Sequence, residues 1–353
     1  MKKIKKLVAI AISTLMIGAM VVGCAKDTGN TGDTGESGDS AKTEVVNVGV
    51  FLYKSDDTYI STVRQNLETI QKENTDKIKF TFYDGKGDQA TQNDSIDTAI
   101  QKDMDLLLVN LVDTGAAQTV VDKIKGADIP VVLFNREPAT TDALTSYDKS
   151  VFVGTNATEA GVMQGKILTD AWKADKTIDK NGDGKMQYVM LQGEPDNPEA
   201  VARTKYSVST VVDAGIEVEE LALQVCNWEQ SLAQNAMEAW LAREGDKIEV
   251  VIANNDGMAQ GAIAALNAQG YNTGDPAKTI PVVGVDATAA AQDLISKGQM
   301  LGSVLQDAPA MAKALYETGM NLANGKTAID GTSYNFDDTG VSVRIPYQEY
   351  IKK

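Results

Sequence analysis

Short apolar runs alternate with amphipathic stretches along the chain from Val45 onward. In the first half, runs rich in β-branched residues occupy positions 45–53, 79–84, 104–110, 129–135 and 150–155. Between them, the segments 60–72, 89–100 and 116–124 have the apolar spacing of helices. Near-continuous apolar runs are typical of parallel strands that are buried on both faces. The pattern therefore predicts repeated βα units that form a doubly wound parallel sheet.

The same alternation restarts in the second half of the chain. A predicted helix at 158–172 and a polar loop are followed by apolar runs at 185–193, 216–224, 247–255, 280–286 and 301–307. Each set of runs is long enough for its own domain. We therefore predict an α/β protein with two doubly wound, Rossmann-like lobes.

Polar side chains close most of these apolar runs. Ligands of doubly wound sheets bind beyond the carboxyl ends of the strands, so we expect these residues to form the facing walls of a cleft. A single Asp or Asn after a strand is more often a turn or helix cap, and the hypothesis depends on the whole set. The set is Tyr53, Lys54, Ser55, Asp56, Asp57, Asn110, Asn135, Arg136, Glu137, Glu194, Asn254, Asn255, Asp256, Asp286, Gln306 and Asp307.

The amino terminus has the pattern of an export signal. Four lysines within residues 2–6 precede an uncharged apolar stretch that ends in V-V-G-C at Cys24. This ending resembles the lipobox of bacterial lipoproteins, which implies cleavage after residue 23, lipidation of Cys24 and an anchor on the extracytoplasmic face of the cell membrane. The segment 24–42 is rich in Gly, Thr, Ser and Asp and predicts a flexible tether. A retained membrane anchor and a chance cysteine are the alternatives.

Charge and residue types exclude several classes of function. The formal net charge of −16 becomes −20 without the lysines of the signal, so we expect no nucleic acid partner. The chain contains no histidine, which excludes Ser-His-Asp catalysis and histidine-bearing metal sites. After Cys24, only Cys226 remains, so the fold has no disulfide framework, and we expect a buried thiol there.

The stretch D-K-N-G-D-G-K-M-Q, residues 179–187, begins like an EF-hand calcium loop. Its oxygen donors would be the side chains of Asp179, Asn181, Asp183 and Gln187 and the carbonyl of Lys185. The twelfth position, where an EF-hand has glutamate, is Met190 within an apolar run. Calcium prefers six to eight oxygens, so we expect one more carboxylate from a neighbouring strand. A hydrophilic turn without a metal is the alternative.

The run from Asp179 through Arg203 resembles the bacterial galactose/glucose-binding proteins, which have the type I periplasmic-binding-protein fold. The resemblance extends from V-G-V-F-L-Y-K-S-D-D to V-R-I-P-Y and includes F-N-R-E-P, K-I-E-V-V-I-A-N-N-D and V-G-V-D-A. It implies that Glu249 completes a structural calcium site. It also implies sugar contacts from Asp57, Tyr59, Asn135, Asn197, Glu199, Arg203, Trp228, Asn255, Asp286 and Gln306.

Four of these positions depart from the family pattern. Tyr59, Asn197, Glu199 and Gln306 stand where phenylalanine, histidine, aspartate and asparagine are usual. Two of the changes lengthen a side chain by one methylene, and a site built on hydrogen bonds discriminates strongly when a partner is misplaced. Because Asp57 is retained, the resemblance favours D-galactose and D-glucose, with a pentose as the alternative.

The expected mechanism is closure of two lobes on the sugar about a three-segment hinge. We expect crossovers near Val153–Asn156, Leu305–Ala308 and Ser333–Phe336. These divide the chain into an N-terminal lobe of residues 43–153 and 307–333 and a C-terminal lobe of residues 154–306 and 334–353. The closed protein, a monomer, would dock on an ABC permease. The alternatives are a calcium-dependent glycoside hydrolase that uses Asp57 or Glu199 as acid or base, and a sensor subunit for a chemoreceptor or sensor kinase.

Overall fold

The computed structural model describes residues 44–352. The predicted export signal, the lipidation site Cys24 and the tether at 24–42 lie outside the described residues. Among residues 44–352, no helix combines the length and the apolar character needed to cross a bilayer.

The first sheet has six strands in the order β11-β5-β4-β3-β1-β2, and all of them are parallel. Helices α1 to α4 and α10 accompany this sheet. Its strands are β1 (Val46–Leu52), β2 (Ile78–Asp84), β3 (Leu106–Val109), β4 (Val131–Phe134), β5 (Ser150–Gly154) and β11 (Ser342–Arg344), and its helices are α1 (Thr58–Glu73), α2 (Gln89–Ile100), α3 (Ala117–Gly126), α4 (Asp142–Thr145) and α10 (Ala308–Ala323).

The second sheet repeats this order as β12-β10-β9-β8-β6-β7. Only β12 runs antiparallel to its neighbour in the sheet. Its strands are β6 (Lys185–Gln192), β7 (Glu217–Val225), β8 (Val250–Ala253), β9 (Val282–Asp286), β10 (Gly302–Leu305) and β12 (Gln348–Ile351), and its helices are α5 (Ala157–Ala174), α6 (Pro198–Asp213), α7 (Gln230–Glu244), α8 (Asp256–Ala268) and α9 (Ala289–Ser296). The prediction of two doubly wound parallel-sheet lobes is confirmed.

Each sheet separates two apolar cores, because successive side chains of a strand point to opposite faces. In β3, Leu106 and Leu108 pack into one core and Leu107 and Val109 into the other. All four are fully buried, which explains why the strands read as continuous apolar runs. Met190 of β6 is likewise buried, so the twelfth position of the polar loop is a core residue, as its apolar context indicates.

The strand order determines where a ligand can bind. In each lobe the order reverses between two strands, at β1 and β3 in the first sheet and at β6 and β8 in the second. Open α/β sheets bind ligands at such switch points, beyond the carboxyl ends of the strands. The loops that follow these four strands are therefore the first place to look for a site.

The chain crosses between the lobes after β5, after β10 and once more near its carboxyl end. The sequence predicts the third crossover near Ser333–Phe336, but the structure places it further along the chain. Phe336 forms a bridge with Val343, and β11 pairs with β5 of the first sheet. Ile345 still packs in the first lobe, whereas Tyr347 packs in the second. The assignment of residues 334–345 to the C-terminal lobe is therefore wrong, because these residues complete the first sheet.

Candidate functional site

One cavity lies between the carboxyl ends of the two sheets, with an empty volume of about 380 Å³ that includes its open mouth. All ten residues that the sequence assigned to ligand contacts line it. They are joined by Tyr53 and Arg136, which the sequence placed at strand ends without giving them a contact. We call this cavity the cleft. The residues that line it are Tyr53, Asp57, Tyr59, Asn135, Arg136, Asn197, Glu199, Arg203, Trp228, Asn255, Asp286 and Gln306.

Asp57 anchors the wall of the first lobe. One carboxylate oxygen caps α1 by accepting hydrogen bonds from the backbone N–H groups of Tyr59 at 3.0 Å and Ile60 at 2.8 Å. The other oxygen accepts from the Tyr53 hydroxyl at 2.7 Å. Burial raises the pKa of Asp57, and these hydrogen bonds partly offset that rise. The cap thus fixes the carboxylate at the cleft without using all of its acceptor capacity.

Asn135 and Arg136 follow β4 and continue the same wall. Asn135 has a positive φ of 59°, and its side-chain oxygen accepts from the Asn110 amide at 3.2 Å. The Arg136 guanidinium lies 4.4 Å from the centre of the Tyr53 ring. It also pairs with Glu194 of the other lobe at 2.5 Å. Arg136 therefore contributes to the cleft and joins the two lobes.

The wall of the second lobe begins with α6. Asn197 caps this helix by accepting from the Glu199 N–H at 2.9 Å, and the i,i+4 spacing places Glu199 beside Arg203. Their ion pair measures 2.9 Å, and both side chains are almost fully buried. Arg203 also donates to the Asn254 carbonyl at 2.8 Å. Buried charges need this degree of pairing, so the pair is a rigid part of the site.

The Trp228 indole covers one side of the cleft. Asn227 and Trp228 both have positive φ, at 47° and 68°. The ring lies against Gly193, where an added Cβ would approach it to 2.4 Å, so only glycine at 193 leaves room for it. The Arg203 guanidinium stands 5.8 Å from the centre of the Trp228 ring. The result is a flat apolar face beside a fork of hydrogen-bond donors.

Asp286, which lines the cleft, and Asp256, which lies behind it, form a buried acidic pair. Asp256 accepts from the Ser303 hydroxyl at 2.6 Å and from the Thr288 N–H at 2.7 Å. Burial raises the pKa of both carboxyls, and for Asp286 the charge of Asp256 raises it further. Among the described residues, no group donates a hydrogen bond to the Asp286 carboxylate, so it remains available to a ligand.

Four buried polar atoms of the cleft-lining residues have no hydrogen-bond partner within residues 44–352. They are the Tyr59 hydroxyl, the Arg136 Nε, the Trp228 indole nitrogen and the Gln306 amide nitrogen. Leaving such an atom unsatisfied costs about 1–3 kcal/mol, and native structures contain few of them. Their location in one cavity indicates a polar ligand that supplies the missing partners.

Two residues that touch this site escaped the sequence analysis. Thr155 and Tyr347 lie on the first and third crossovers and donate hydrogen bonds to the Glu199 carboxylate. Thr155 ends a predicted strand, so the same reasoning that found the other strand-end residues could have found it. No βα pattern surrounds Tyr347, and its role follows only from the tertiary structure.

The loop of residues 179–187, which we call the acidic loop, lies at the other end of β6, at its amino end. Within the loop, Asp179 accepts from the Gly182 N–H at 2.7 Å and the Gly184 N–H at 3.0 Å. Glu249, just before β8, accepts from the Lys180 N–H at 2.6 Å and the Gln187 N–H at 3.1 Å. The distant carboxylate therefore does reach the loop.

The donors of the acidic loop fit a calcium ion by their chemistry. All are oxygens, as calcium prefers, and the Gln187 side-chain oxygen is buried without a partner within residues 44–352. Among residues 44–352, no three acidic or cysteine side chains lie close enough together to hold a metal ion without other ligands. A calcium ion here would therefore depend on amide and carbonyl oxygens as well as on the carboxylates.

Comparison with known proteins relates the chain to periplasmic binding proteins. A model of the periplasmic binding protein domain matches residues 48–327. The D-galactose/methyl-galactoside binding periplasmic protein MglB of Haemophilus influenzae is 40% identical over 301 residues, which cover 85% of this chain and 88% of that protein. The ribose import binding protein RbsB of Bacillus subtilis is 24% identical over 281 residues, which cover 79% of this chain and 82% of that protein.

Solved structures share the fold. An ABC transporter solute binding protein from Bacillus halodurans, determined with bound myo-inositol, matches with a TM-score of 0.70 at 24% identity over 88% of this chain and 96% of that chain. The expected type I periplasmic-binding-protein fold is thereby confirmed. The relatives are substrate-binding transport proteins and not enzymes, which excludes the glycoside hydrolase alternative.

Proposed function

The chain belongs to the periplasmic binding protein family, and from that premise we propose that it captures a monosaccharide in the cleft and delivers it to an ABC import permease. D-galactose and D-glucose are the favoured ligands. The observation that carries this proposal is the lining of the cleft. Carboxylates, amides and a buried arginine face one another there beside the flat ring of Trp228.

Each feature of the lining suits a sugar. A hydroxyl group both donates and accepts a hydrogen bond, so a pyranose needs acceptors such as Asp57 and Asp286 together with donors such as Arg203. The unpartnered groups of Tyr59, Trp228 and Gln306 supply further donors. The apolar C–H face of the ring can stack on the indole. Such a lining recognises a neutral polyhydroxylated ligand and excludes an apolar one.

The choice between sugars within this class is proposed from similarity. The relative with 40% identity is named for D-galactose and methyl-galactoside, whereas relatives of lower identity are named for other ligands, such as ribose. Tyr59, Asn197, Glu199 and Gln306 are the cleft residues that depart from the galactose/glucose pattern, and we expect them to determine the rank of hexoses and pentoses.

Lobe closure completes the proposed mechanism. Arg136 pairs with Glu194, and Lys54 pairs with Glu229, in both cases across the cleft. A sugar that contacts both walls stabilises this closed state relative to an open one. The permease would recognise the closed lobes. A sensor subunit for a chemoreceptor or kinase would share the binding step and differ only in its partner.

Titration of tryptophan fluorescence tests the binding proposal. D-galactose, D-glucose, xylose, ribose and arabinose are added to the purified protein. We expect a saturable change with at least one hexose, and the loss of most of that change in Trp228→Phe. The absence of a response to all five sugars, confirmed by calorimetry, would contradict the proposed function.

We also propose that the acidic loop binds one structural calcium ion. Asp179, Asn181, Asp183, Gln187 and Glu249 would supply side-chain oxygens and Lys185 its carbonyl. The ion would offset the negative charges of the carboxylates where the loop, β6 and Glu249 meet. Equilibrium dialysis should recover one calcium ion per chain for the natural sequence and none for Glu249→Gln. Equal calcium binding by both proteins would contradict this site.

Finally, we propose that Cys24, which lies outside the described residues, carries a lipid anchor on the extracytoplasmic face. The V-V-G-C motif and the polar segment that follows it support this assignment. We expect Cys24→Ala to move the protein from the membrane fraction to the soluble fraction in cells. If both forms fractionate with the membrane, the protein is held there by something other than this cysteine.

A further inference from the structure

We propose that Thr155 and Tyr347 are positioning residues, which hold the Glu199–Arg203 pair in its ligand-binding geometry and so couple the hinge to ligand affinity. The inference rests on the proposed function of the cleft, because it concerns how two of its charged side chains are held. Neither residue lines the cleft itself. Both lie where the chain passes from one lobe to the other.

The hydroxyl groups of both residues form hydrogen bonds with the Glu199 carboxylate. Thr155 donates to one carboxylate oxygen at 2.7 Å, and Tyr347 lies 3.0 Å from the other. The Tyr347 hydroxyl in turn accepts from Arg203 at 2.8 Å. Thr155, Tyr347, Glu199 and Arg203 are all at most 5% exposed, so water does not compete for these bonds.

The protons of this cluster can be assigned. Thr155 has one hydroxyl proton and gives it to Glu199. Tyr347 has one proton as well, and it gives this proton to the Glu199 carboxylate rather than to the equally distant Thr155 oxygen, because a carboxylate is the stronger acceptor. Burial raises the pKa of Tyr347, so the phenol keeps that proton. The two oxygens of Glu199 thus accept hydrogen bonds from Thr155, Tyr347 and Arg203. These bonds leave the Glu199 and Arg203 side chains little freedom to move.

The first and third crossovers are also bonded to each other. The Ile345 N–H donates to the Gly154 carbonyl at 2.8 Å, and Arg344 donates to the Thr155 carbonyl at 2.7 Å. A rotation of the lobes about these segments changes their backbone torsions together. It therefore changes the positions of the two hydroxyls that hold Glu199.

The length of the Glu199 side chain makes this arrangement possible. An aspartate on the same backbone would withdraw the carboxylate by roughly 1.5 Å, the length of one carbon–carbon bond. The bonds to Thr155 and Tyr347 at 2.7 and 3.0 Å would then exceed hydrogen-bonding range. Glutamate at this position therefore connects the cleft to the hinge.

Calorimetric titration with the best-bound sugar from the fluorescence panel tests the inference in the full mature chain. Tyr347→Phe and Thr155→Val each remove one hydroxyl from a carboxylate, and we expect each to weaken the affinity about tenfold or more. Thr155→Ser, which keeps the hydroxyl, should recover most of the affinity. The effect of Tyr347→Phe should shrink to under threefold in a Glu199→Gln background, because both changes act on the same contact.

Tyr350→Phe is the matched control. Tyr350 lies three residues further on the same segment, and its hydroxyl makes no hydrogen bond within residues 44–352, so its removal should leave the affinity unchanged. Unchanged affinity in folded Tyr347→Phe and Thr155→Val would overturn the inference, as would full additivity with Glu199→Gln. If Tyr347→Phe does not fold, the inference is tested by the sugar affinities of Thr155→Val and Thr155→Ser alone, and equal affinities would overturn it. Failure of the natural sequence to bind any sugar would instead refute the proposed function.

Discussion

The cleft and the acidic loop use the same kinds of side chain in opposite environments. The carboxylates of Asp57, Asp256 and Asp286 belong to the cleft or lie directly behind it, and burial raises the pKa of each of them. Asp183 of the loop is exposed, and hydrogen bonds, first of all from the Lys185 N–H, lower its pKa. The difference teaches that exposure separates the carboxylate of Asp183 from those of the cleft. Glu249, which reaches the acidic loop from outside it, is buried, and burial raises its pKa as it does in the cleft.

The two regions also differ in how the chain assembles them. The acidic loop takes all but one of its proposed donors from nine consecutive residues. The cleft collects its residues from the ends of strands in both sheets and from the starts of helices such as α1, α6 and α8. We therefore expect the loop to affect local stability and the cleft to affect affinity, and the following predictions test this division.

The largest effect is expected at Arg203. Arg203→Met removes the donor fork and leaves Glu199 as a buried carboxylate without its cation. Breaking such a pair lowers folding stability by about 3–5 kcal/mol. Each lost hydrogen bond from a charged donor to the sugar costs about 1.5–3 kcal/mol, so we expect the loss of the fork to lower sugar affinity at least 100-fold by calorimetry. Lys205→Met, on the exposed side of the same helix, is the control and should bind normally. Comparable losses in both variants would show that the effect is not specific to the cleft.

The next effect concerns calcium and the melting temperature. A ligand at about 100 times its Kd stabilises the folded state by about 2.7 kcal/mol. For a domain of this size, chelation should therefore lower the melting temperature by about 5 °C, as measured by calorimetric scanning. Glu249→Gln should melt at the same temperature with and without the chelator. Identical melting curves for the natural sequence in both conditions would contradict a structural role for calcium.

A smaller effect is expected from the buried acidic pair. Since the pKa of Asp256 is raised, the folded state binds more protons than the unfolded state above the ordinary carboxyl pKa of about 4. Stability should therefore decrease as the pH rises from about 5 to about 8. We expect this decrease to be about 1 kcal/mol smaller in Asp256→Asn, as measured by urea unfolding across that range.

Asp88→Asn provides the comparison for this prediction. Hydrogen bonds from the α2 amino terminus lower the pKa of the exposed Asp88, so its contribution to stability is constant above the ordinary carboxyl pKa and is lost only at lower pH. Asp88→Asn should therefore change stability equally at pH 5 and pH 8. If Asp256→Asn behaves in the same way, the buried pair does not titrate as inferred.

The smallest effect is expected at the rim of the cleft. Lys54 and Glu229 join the lobes, but their side chains are 31% and 40% exposed, and exposed ion pairs contribute only about 0–1 kcal/mol. Lys54→Met should weaken sugar affinity about two- to threefold at low salt, and the difference should vanish in about 0.5 M sodium chloride. Lys313→Met, which breaks a pair within α10, should not change the affinity. A tenfold loss from Lys54→Met would mean that the rim contributes as much as the buried cleft.

The sequence predicted the elements that have strong periodicity. The apolar runs located strands β1 to β10. The signal is continuous in central strands such as β3 and β8, which are buried on both faces, and it is weaker in the edge strand β7, which is largely exposed. The acidic loop followed from its spacing, and the residues of the cleft followed from their positions after strands together with the family resemblance. Three of them, Asp57, Asn197 and Asn255, also cap helices, so a capping role and a place in the cleft are not exclusive.

The sequence did not predict features that depend on tertiary contacts alone. Strand β11 has three residues, too few for a periodic pattern, and its pairing with β5 moved the third crossover from 333–336 to the segment between Ile345 and Tyr347. The hydrogen bonds of Tyr347 to Glu199 and Arg203 join residues more than 140 positions apart. Such contacts depend on how the two lobes meet, which local patterns do not encode.

The most direct test of the central claim is calorimetric titration of D-galactose and D-glucose into the full mature protein, first with calcium and then after chelation, at a temperature where both forms are folded. We predict a single site per chain for at least one of the two sugars, with affinities in the two states that agree within about twofold. No measurable binding of either sugar with calcium present would contradict the cleft as a hexose site. Binding that disappears on chelation would contradict the division of roles between the cleft and the acidic loop.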